Sequence, residues 1–398
     1  MAVEKMTASE RRATASLAAV MTLRLLGLFM ILPVFSLYAH DLTGSTPFLI
    51  GVAMGVYGLT QAVLQIPFGF ISDHVGRKPV ITAGLLVFLS GSLIAAYADT
   101  INWMILGRAL QGAGAVGSTI IALLADLTRD SQRTKAMAVN GITIGMSFSL
   151  AMIAGPVFAA WLQVSGIFFL AAGCSVLAIV VLYVFVPSAP AAVWHADAEV
   201  APTQFFALLK APQLARLNAG ILLLHAIFTA SFVVIPISLK KFADIPGNQQ
   251  WALYLPALLL AFVASLALIV YAEKRQQIKP YFVAGILALA AAEILLLAWP
   301  RSVPAAAAGI FLFFAAFSLL EAFLPSLVSR AAPAASKGTA LGIYSCAQFL
   351  GIFIGGTLGG WLYGYFGLLS VYLFCVLLAL LWLPIASGMK SPPQPRRN

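Results

Sequence analysis

Four charged residues stand inside stretches that are otherwise apolar: Arg24, Arg108, Glu293 and Glu321. A charge at the centre of a bilayer costs at least about 2.5 kcal/mol unless it is paired or wetted, so such residues are kept for a task or for one another. Arg24 and Glu321 have opposite charge and are expected either to pair or to be satisfied separately by hydroxyls, carbonyls and water. Arg108 is a fixed charge, because a guanidinium keeps its proton in proteins. A carboxylate is different, since burial and a nearby cation act on its proton affinity in opposite directions, and a change of surroundings lets it take up or release a proton. Glu321 is therefore the candidate proton carrier and Glu293 the reserve, although Glu293 stands near the end of its stretch, where it can simply reach the interface. His225, in the middle of another stretch, is either a titrating group or a hydrogen-bonded buried histidine.

Seven polar residues in the same kind of surroundings, Tyr57, Gln61, Gln111, Asn140, Asn218, Tyr344 and Gln348, can donate and accept hydrogen bonds. Those that face a cavity are candidate substrate contacts; the others serve as glue between membrane helices.

The elements that must position these groups follow from composition. Of the 398 residues, 62% are hydrophobic and only 9% charged, against roughly a quarter charged in a soluble domain. Twelve apolar runs are long enough to cross a bilayer, at 16–39, 48–70, 79–98, 102–125, 137–161, 165–187, 214–239, 250–272, 280–298, 304–329, 338–362 and 366–387. None alternates apolar and polar residues as a β-barrel strand does, so the spans are helices, which satisfy their own backbone in lipid. The first run is too long for a signal-peptide core and is expected to remain as a span. Arg24 and Glu321 each lie eight residues, roughly 12 Å, from the inner ends of their runs. Cys174, Cys346 and Cys375 fall inside spans with no pairing or metal-ligand spacing and read as small apolar residues.

The formal net charge of +10 has a direction. With twelve spans, eighteen of the 23 lysines and arginines fall on the side that carries both termini, against Lys240, Lys241 and Arg301 on the other. The positive-inside rule makes that side cytoplasmic. The basic charge thus orients the chain in a lipid bilayer and implies no nucleic-acid partner.

One long polar connection, from Pro187 to Pro212, divides the spans six and six. The expected layout is a cytoplasmic segment at 1–15, a six-helix half at 16–187, a cytoplasmic linker at 188–212, a second half at 213–387 and a cytoplasmic tail at 388–398. Two short repeats cross the divide. Lys78-Pro79 with Ala83-Gly84 recurs as Lys279-Pro280 with Ala284-Gly285 at an offset of 201, and Ala136-Met137 with Gly155 recurs as Ala340-Leu341 with Gly359 at an offset of 204. Offsets near half the chain point to duplication, the usual plan of secondary transporters. Gly51, Gly55 and Gly58, like Gly351, Gly355, Gly356, Gly359 and Gly360, have the spacing of close helix contacts.

Between the second and third runs stands Gly69-Phe-Ile-Ser-Asp73-His-Val-Gly76-Arg77-Lys78. Gly76 suits a tight turn, Asp73 a helix end, and Arg77 and Lys78 a position outside lipid. This stretch resembles the loop motif of the major facilitator superfamily. Leu106-Gly107-Arg108-Ala109-Leu110-Gln111-Gly112 resembles the motif that places an arginine in the membrane in proton-coupled facilitators. Arg24-Leu25-Leu26-Gly27, Tyr57 to Val63, Ala125-Asp126-Leu127-Thr128-Arg129, Arg133 to Met137, Leu320-Glu321 with Leu324-Pro325, and Tyr344-Ser345 with Gln348 to Gly351 extend the likeness over all twelve spans to the drug:proton antiporter family of that superfamily.

The resemblance implies an all-α integral membrane protein with the major facilitator fold, twelve transmembrane helices in two pseudo-symmetric halves, and a central cavity lined by helices 1, 4, 7 and 10. It implies a bacterial inner-membrane location, and a charge cluster of Asp73, Gly76, Arg77, Lys78 and Asp126, with Arg133 as a neighbour, that latches the outward-open state. A family member with a soluble domain after helix 12 is among those it resembles, and that domain is expected to be absent here. The helix 5 antiporter motif is present in Gly141, Gly145, Gly155 and Pro156, but Ala159-Ala160 stand where it closes with glycines.

The expected function is proton-coupled export of small amphipathic compounds by alternating access, with a small-molecule substrate, protons as the coupling ion, no cofactor and a monomeric state. Import or uniport of a polar solute such as a sugar, carboxylate or siderophore is the alternative, and a transporter-fold sensor the third reading. There is no Gly-x-x-x-x-Gly-Lys-Ser/Thr loop, His-Glu-x-x-His or Gly-x-Ser-x-Gly, so an enzyme or an ATP-driven pump is not expected.

Overall fold

The computed structural model describes residues 5–187, 202–333 and 336–389. Residues 188–201 of the expected linker and 390–398 of the expected tail lie outside the described residues, as do positions 1–4 of the N-terminal segment. Helices α1 (Ala8–Phe29) and α2 (Leu32–Ala39) make the first span, α3 (Pro47–Val75) the second, α4 (Arg77–Ala96) the third, and α5 (Ile101–Ala113) with α6 (Gly117–Asp126) the fourth. The fifth and sixth share α7 (Asp130–Val184), which is divided where Gln163 takes φ 57°. A short α8 (Pro202–Lys210) precedes the second set: α9 (Pro212–Phe242), α10 (Trp251–Lys274), α11 (Ile278–Ala298), α12 (Val303–Ala331), α13 (Lys337–Phe366) and α14 (Leu368–Ser387). Among the described residues the only bridge of β type is the isolated contact of Thr43 with Thr100.

Local chemistry explains the starts and breaks. Thr7 opens α1 with a reciprocal cap, its Oγ1 accepting from Glu10 N at 3.1 Å while Glu10 Oε2 accepts from Thr7 N at 2.7 Å. Thr46, Thr100 and Ser302 cap α3, α5 and α12 in the same manner with one bond each. The first span breaks between Phe29 and Leu32 because Pro33 has no N–H to continue the ladder. Gly76, at φ 103°, makes the turn from α3 into α4, a backbone conformation that side-chain-bearing residues avoid.

Several helices run beyond the apolar stretches that announced them. Helix α1 starts at Ala8 rather than 16, so Arg24 lies much further from its start than expected, and α3 continues to Val75 rather than 70. Helical turns outside the hydrocarbon layer are polar, and hydropathy carries no signal for them. Within the expected linker, residues 202–210 form the short helix α8.

Within the first set α1 packs on α7, α4 on α5 and α7, and α3 on α5; within the second α13 packs on α9, α11 on α12 and α14, and α10 on α12. The sets meet chiefly along α3 and α13, with further contacts of α2 with α9 and of α7 with α10. That central crossing needs glycine. A Cβ on Gly51 would meet the Gly356 carbonyl, one on Gly55 would lie 2.8 Å from Phe353 O, and one on Gly356 would lie 2.9 Å from Gly55 N. Small residues let the two backbones touch, and dispersion does the rest, since lipid offers no hydrophobic drive. Along the same faces toward the end that carries the termini, a Cβ on Gly69, Gly338 or Gly342 would meet nothing within 4 Å. Helices α3 and α13 thus touch backbone to backbone at one end and leave open space beside these glycines at the other, the terminus-bearing end.

Candidate functional site

Where the halves part, each offers a polar group. On the first half, Arg24 from α1 reaches α3: its Nη2 donates to Gln61 Oε1 at 2.6 Å and to Tyr57 OH at 3.1 Å, and Tyr57 OH donates to Gln61 Oε1 at 2.8 Å. One helical turn separates Tyr57 from Gln61, which puts both on the face turned to Arg24. On the second half, Gln348 of α13 donates from Nε2 to Glu321 Oε1 of α12 at 3.1 Å and stands 2.9 Å from His225 Nε2 of α9. Glu321 Oε2 lies 3.9 Å from the same His225 nitrogen. The Arg24–Glu321 pair does not form in this structure; each residue is held by neutral groups of its own half.

Glu321 and Glu293 differ in exposure of the side chain, although each has one carboxylate oxygen, Oε2, buried without a hydrogen-bond partner among the described residues. The Glu321 side chain is 35% exposed, whereas Glu293 is 0% exposed. The expectation that Glu293 reaches the interface is therefore corrected: it points inward from α11, accepts from Ser231 Oγ of α9 at 2.6 Å, and shares that hydroxyl with Cys375 Sγ of α14 at 3.5 Å. Apolar surroundings on every side of α11 hid which face was packed.

Arg108 is 1% exposed. Its Nη1 donates to Gln111 Oε1 at 2.7 Å, and Gln111 Nε2 donates onward to Ser92 Oγ at 2.8 Å. The guanidinium carbon lies 5.3 Å from the centre of the Tyr57 ring and 6.0 Å from that of Phe35, close enough for the ring faces to attract the charge. Asn140, Asn218 and Tyr344 are buried, and Asn140 Oδ1, Asn218 Oδ1 and Tyr344 OH have no hydrogen-bond partner among the described residues. An aromatic seam crosses between the halves beside these groups: Phe148 of α7 lies 5.0 Å from Phe29, 5.7 Å from Phe228 and 5.5 Å from Phe317, centre to centre.

At the terminus-bearing face Arg77 forms an ion pair with Asp73, donates from Nε to Asp126 Oδ2 at 3.1 Å and from Nη1 to Ser72 Oγ at 2.7 Å. All four belong to the first half. Lys78 turns away from the cluster and donates to Val186 O at 2.7 Å. Arg133 is exposed near the start of α7. In the second half Glu273 and Arg330, 3.5 Å apart, join the ends of α10 and α12 much as Arg77 and Asp126 join α4 to α6.

The charge that sequence reasoning passed over is Glu10. It is 4% exposed and receives Arg129 Nε at 2.9 Å and Arg129 N at 3.0 Å, tying the start of α1 to the start of α7. The Thr7-x-x-Glu10 spacing was its available signal.

Two sets of membrane-length helices that meet along α3 and α13 and bury charged side chains make a polytopic membrane protein. The sequence profile of the Major Facilitator Superfamily matches residues 17–356 and 246–398, and the chain belongs to that superfamily. It is 45% identical over 389 residues to the inner membrane transport protein YajR of Escherichia coli (strain K12), covering 98% of this chain and 86% of that protein. It is 26% identical over 347 residues to the multidrug resistance protein MdtH of Aeromonas hydrophila, covering 86% and 85% respectively. Among solved structures, the nucleoside transporter NupG superposes with a TM-score of 0.75 at 16% identity, covering 95% of this chain and 100% of that one. The chain is a secondary transporter of small molecules and not an enzyme.

Proposed function

We propose that this protein exports small amphipathic compounds across a bacterial inner membrane in exchange for protons, acting as a monomer with both termini in the cytoplasm. The observation that carries the reading is the Glu321–Gln348–His225 group, a carboxylate on a partly exposed side chain, bonded through Oε1 and with Oε2 left without a hydrogen-bond partner among the described residues, with apolar and polar neighbours. A carboxylate whose surroundings change between inward-open and outward-open states exchanges its proton with the open side. Arg108, fixed in charge and deeper in the first half, sets the field of the cavity. The Phe29–Phe148–Phe317 seam receives the apolar part of the cargo. The likeness to YajR supports the membrane assignment, and the likeness to MdtH supports a drug-like cargo.

The Asp73–Arg77–Asp126 cluster lies within the first half in this inward-open arrangement. Closure of the terminus-bearing side would bring Asp73 toward the start of α13, where the helix dipole presents a partial positive charge.

The test is transport by the full-length protein in proteoliposomes under an imposed pH gradient. A lipophilic dye accumulates against its own gradient with wild-type protein, and Glu321→Gln abolishes the pH-driven component while dye binding persists. Gradient-driven accumulation at the wild-type rate in Glu321→Gln excludes Glu321 as carrier. Accumulation that ignores the pH gradient in wild-type protein excludes proton coupling.

A further inference from the structure

The geometry points to an acceptor site for an organic acid in the first half of the cavity, with Arg24 as the group that takes its carboxylate. This rests on the transport reading above and narrows its substrate class to amphipathic anions.

Arg24 is 3% exposed, yet no carboxylate lies within 4 Å of its guanidinium among the described residues. Among the described residues only Nη2 is engaged, through Tyr57 and Gln61; Nε has no partner there, and Nη1 makes no hydrogen bond. Arg108 also has no carboxylate partner among the described residues, although its own donors are better satisfied, Nη1 by Gln111 Oε1 at 2.7 Å and Nε by Ala53 O at 3.4 Å; Tyr57 bonds Arg24 through its hydroxyl and turns its ring toward Arg108 at 5.3 Å. Two buried guanidinium groups thus share one tyrosine with no anion between them. Across the seam, Glu321 accepts from Gln348 through Oε1 and forms no ion pair with either arginine among the described residues, although its Oε2 has no hydrogen-bond partner there. A pair of uncompensated charges in a membrane protein is costly, and an anionic ligand is the partner that lowers the cost.

The surroundings select the shape of that ligand. A guanidinium with free donors suits a planar carboxylate. The place where a Gly117 Cβ would stand is 3.5 Å from Arg24 Nη1, in van der Waals contact, so no side chain at position 117 covers that nitrogen. Tyr57 lies 6.2 Å from Phe349 of α13, which begins an apolar surface on the far half for the body of the acid. The ligand is an aromatic or alicyclic monocarboxylate rather than a bare anion.

The test is equilibrium binding to purified full-length protein in detergent at neutral pH, without a gradient, so that proton coupling and transport direction do not enter. The probes are 1-naphthaleneacetate, its uncharged amide 1-naphthaleneacetamide, and (1-naphthylmethyl)trimethylammonium. The carboxylate is expected to bind about tenfold or more tighter than the amide, the gain of a charge-assisted hydrogen bond, and the cation weakest. Arg24→Gln is expected to erase the preference for acid over amide while amide binding persists, which also reports a folded protein; Arg24→Lys is expected to keep part of it. Carboxylate binding no tighter than the amide's, including none at all, overturns the proposal, as does an acid preference that survives Arg24→Gln. Preferred binding of the cation overturns it while leaving proton-coupled export intact. Preferred binding of the carboxylate with no pH-driven transport upholds it while refuting the coupling.

Discussion

Lys78 and Lys279 make the same bond in the two halves: Lys78 Nζ donates to Val186 O at 2.7 Å, and Lys279 Nζ donates to Ser387 O at 2.7 Å. The two lysines are 201 residues apart, and so are the two carbonyls. Each lysine stands at the start of a helix and ties down unpaired carbonyls at the end of another, a place where a positive charge is favoured by the helix dipole. Short repeats that chance could produce in so apolar a sequence thus have a shared structural task.

Lys78→Ala and Lys279→Ala are each expected to lower stability by about 0.3–1 kcal/mol, the usual worth of a charge at a helix end. The double variant should show the sum, because the sites lie in different halves. Thermal denaturation in detergent is the measurement, and a double variant no less stable than either single one would show that the bonds are not independent supports.

Gly356→Val places a branched side chain against Gly51 O and the Gly55 backbone. Overpacking of a close contact costs about 1–3 kcal/mol, and here the cost falls only on the state in which α3 and α13 touch. The variant is expected to populate outward-open molecules. A cysteine in place of Ile352, a buried residue of α13 that packs on Gly58 of α3, should gain reactivity toward a water-soluble maleimide in the Gly356→Val background; unchanged reactivity would mean the crossing tolerates the bulk.

Arg77→Gln removes the contacts to both Asp73 and Asp126 and leaves Ser72 without its donor. Asp73 and Asp126 are half exposed, so the stability loss is small. The expected effect is kinetic: turnover falls while probe affinity in the inward-open state is retained. Equal losses in affinity and turnover would place Arg77 in cargo binding instead.

Glu293→Gln preserves the shape that accepts from Ser231 and is expected to keep pH-driven transport, in contrast to Glu321→Gln. The carboxylate at 293 is enclosed by α9, α11 and α14 and has no exposed surface. Glu293→Ala opens a cavity there and is expected to cost about 2 kcal/mol or more of stability. Loss of coupling in the glutamine variant would move the proton path from the α9–α12–α13 group around Glu321 to the α9–α11–α14 interior.

Much of this protein is legible in the sequence. Apolar runs of the right length, a polar linker and a skewed distribution of Lys and Arg specify a twelve-span membrane protein, because the bilayer imposes length, backbone pairing and charge asymmetry on any chain that crosses it. The glycine spacing of Gly51, Gly55 and Gly356 likewise announces a close crossing. The partners of the buried charges were decided only by the tertiary structure. Arg24 bonds Tyr57 and Gln61 on the neighbouring helix rather than Glu321 on the other half, and Glu293 faces α9 and α14 rather than the interface. Hydropathy cannot separate these outcomes, because lipid and protein interior are equally apolar: a membrane helix shows the same residues to both, and only packing tells which side of it a charge will meet.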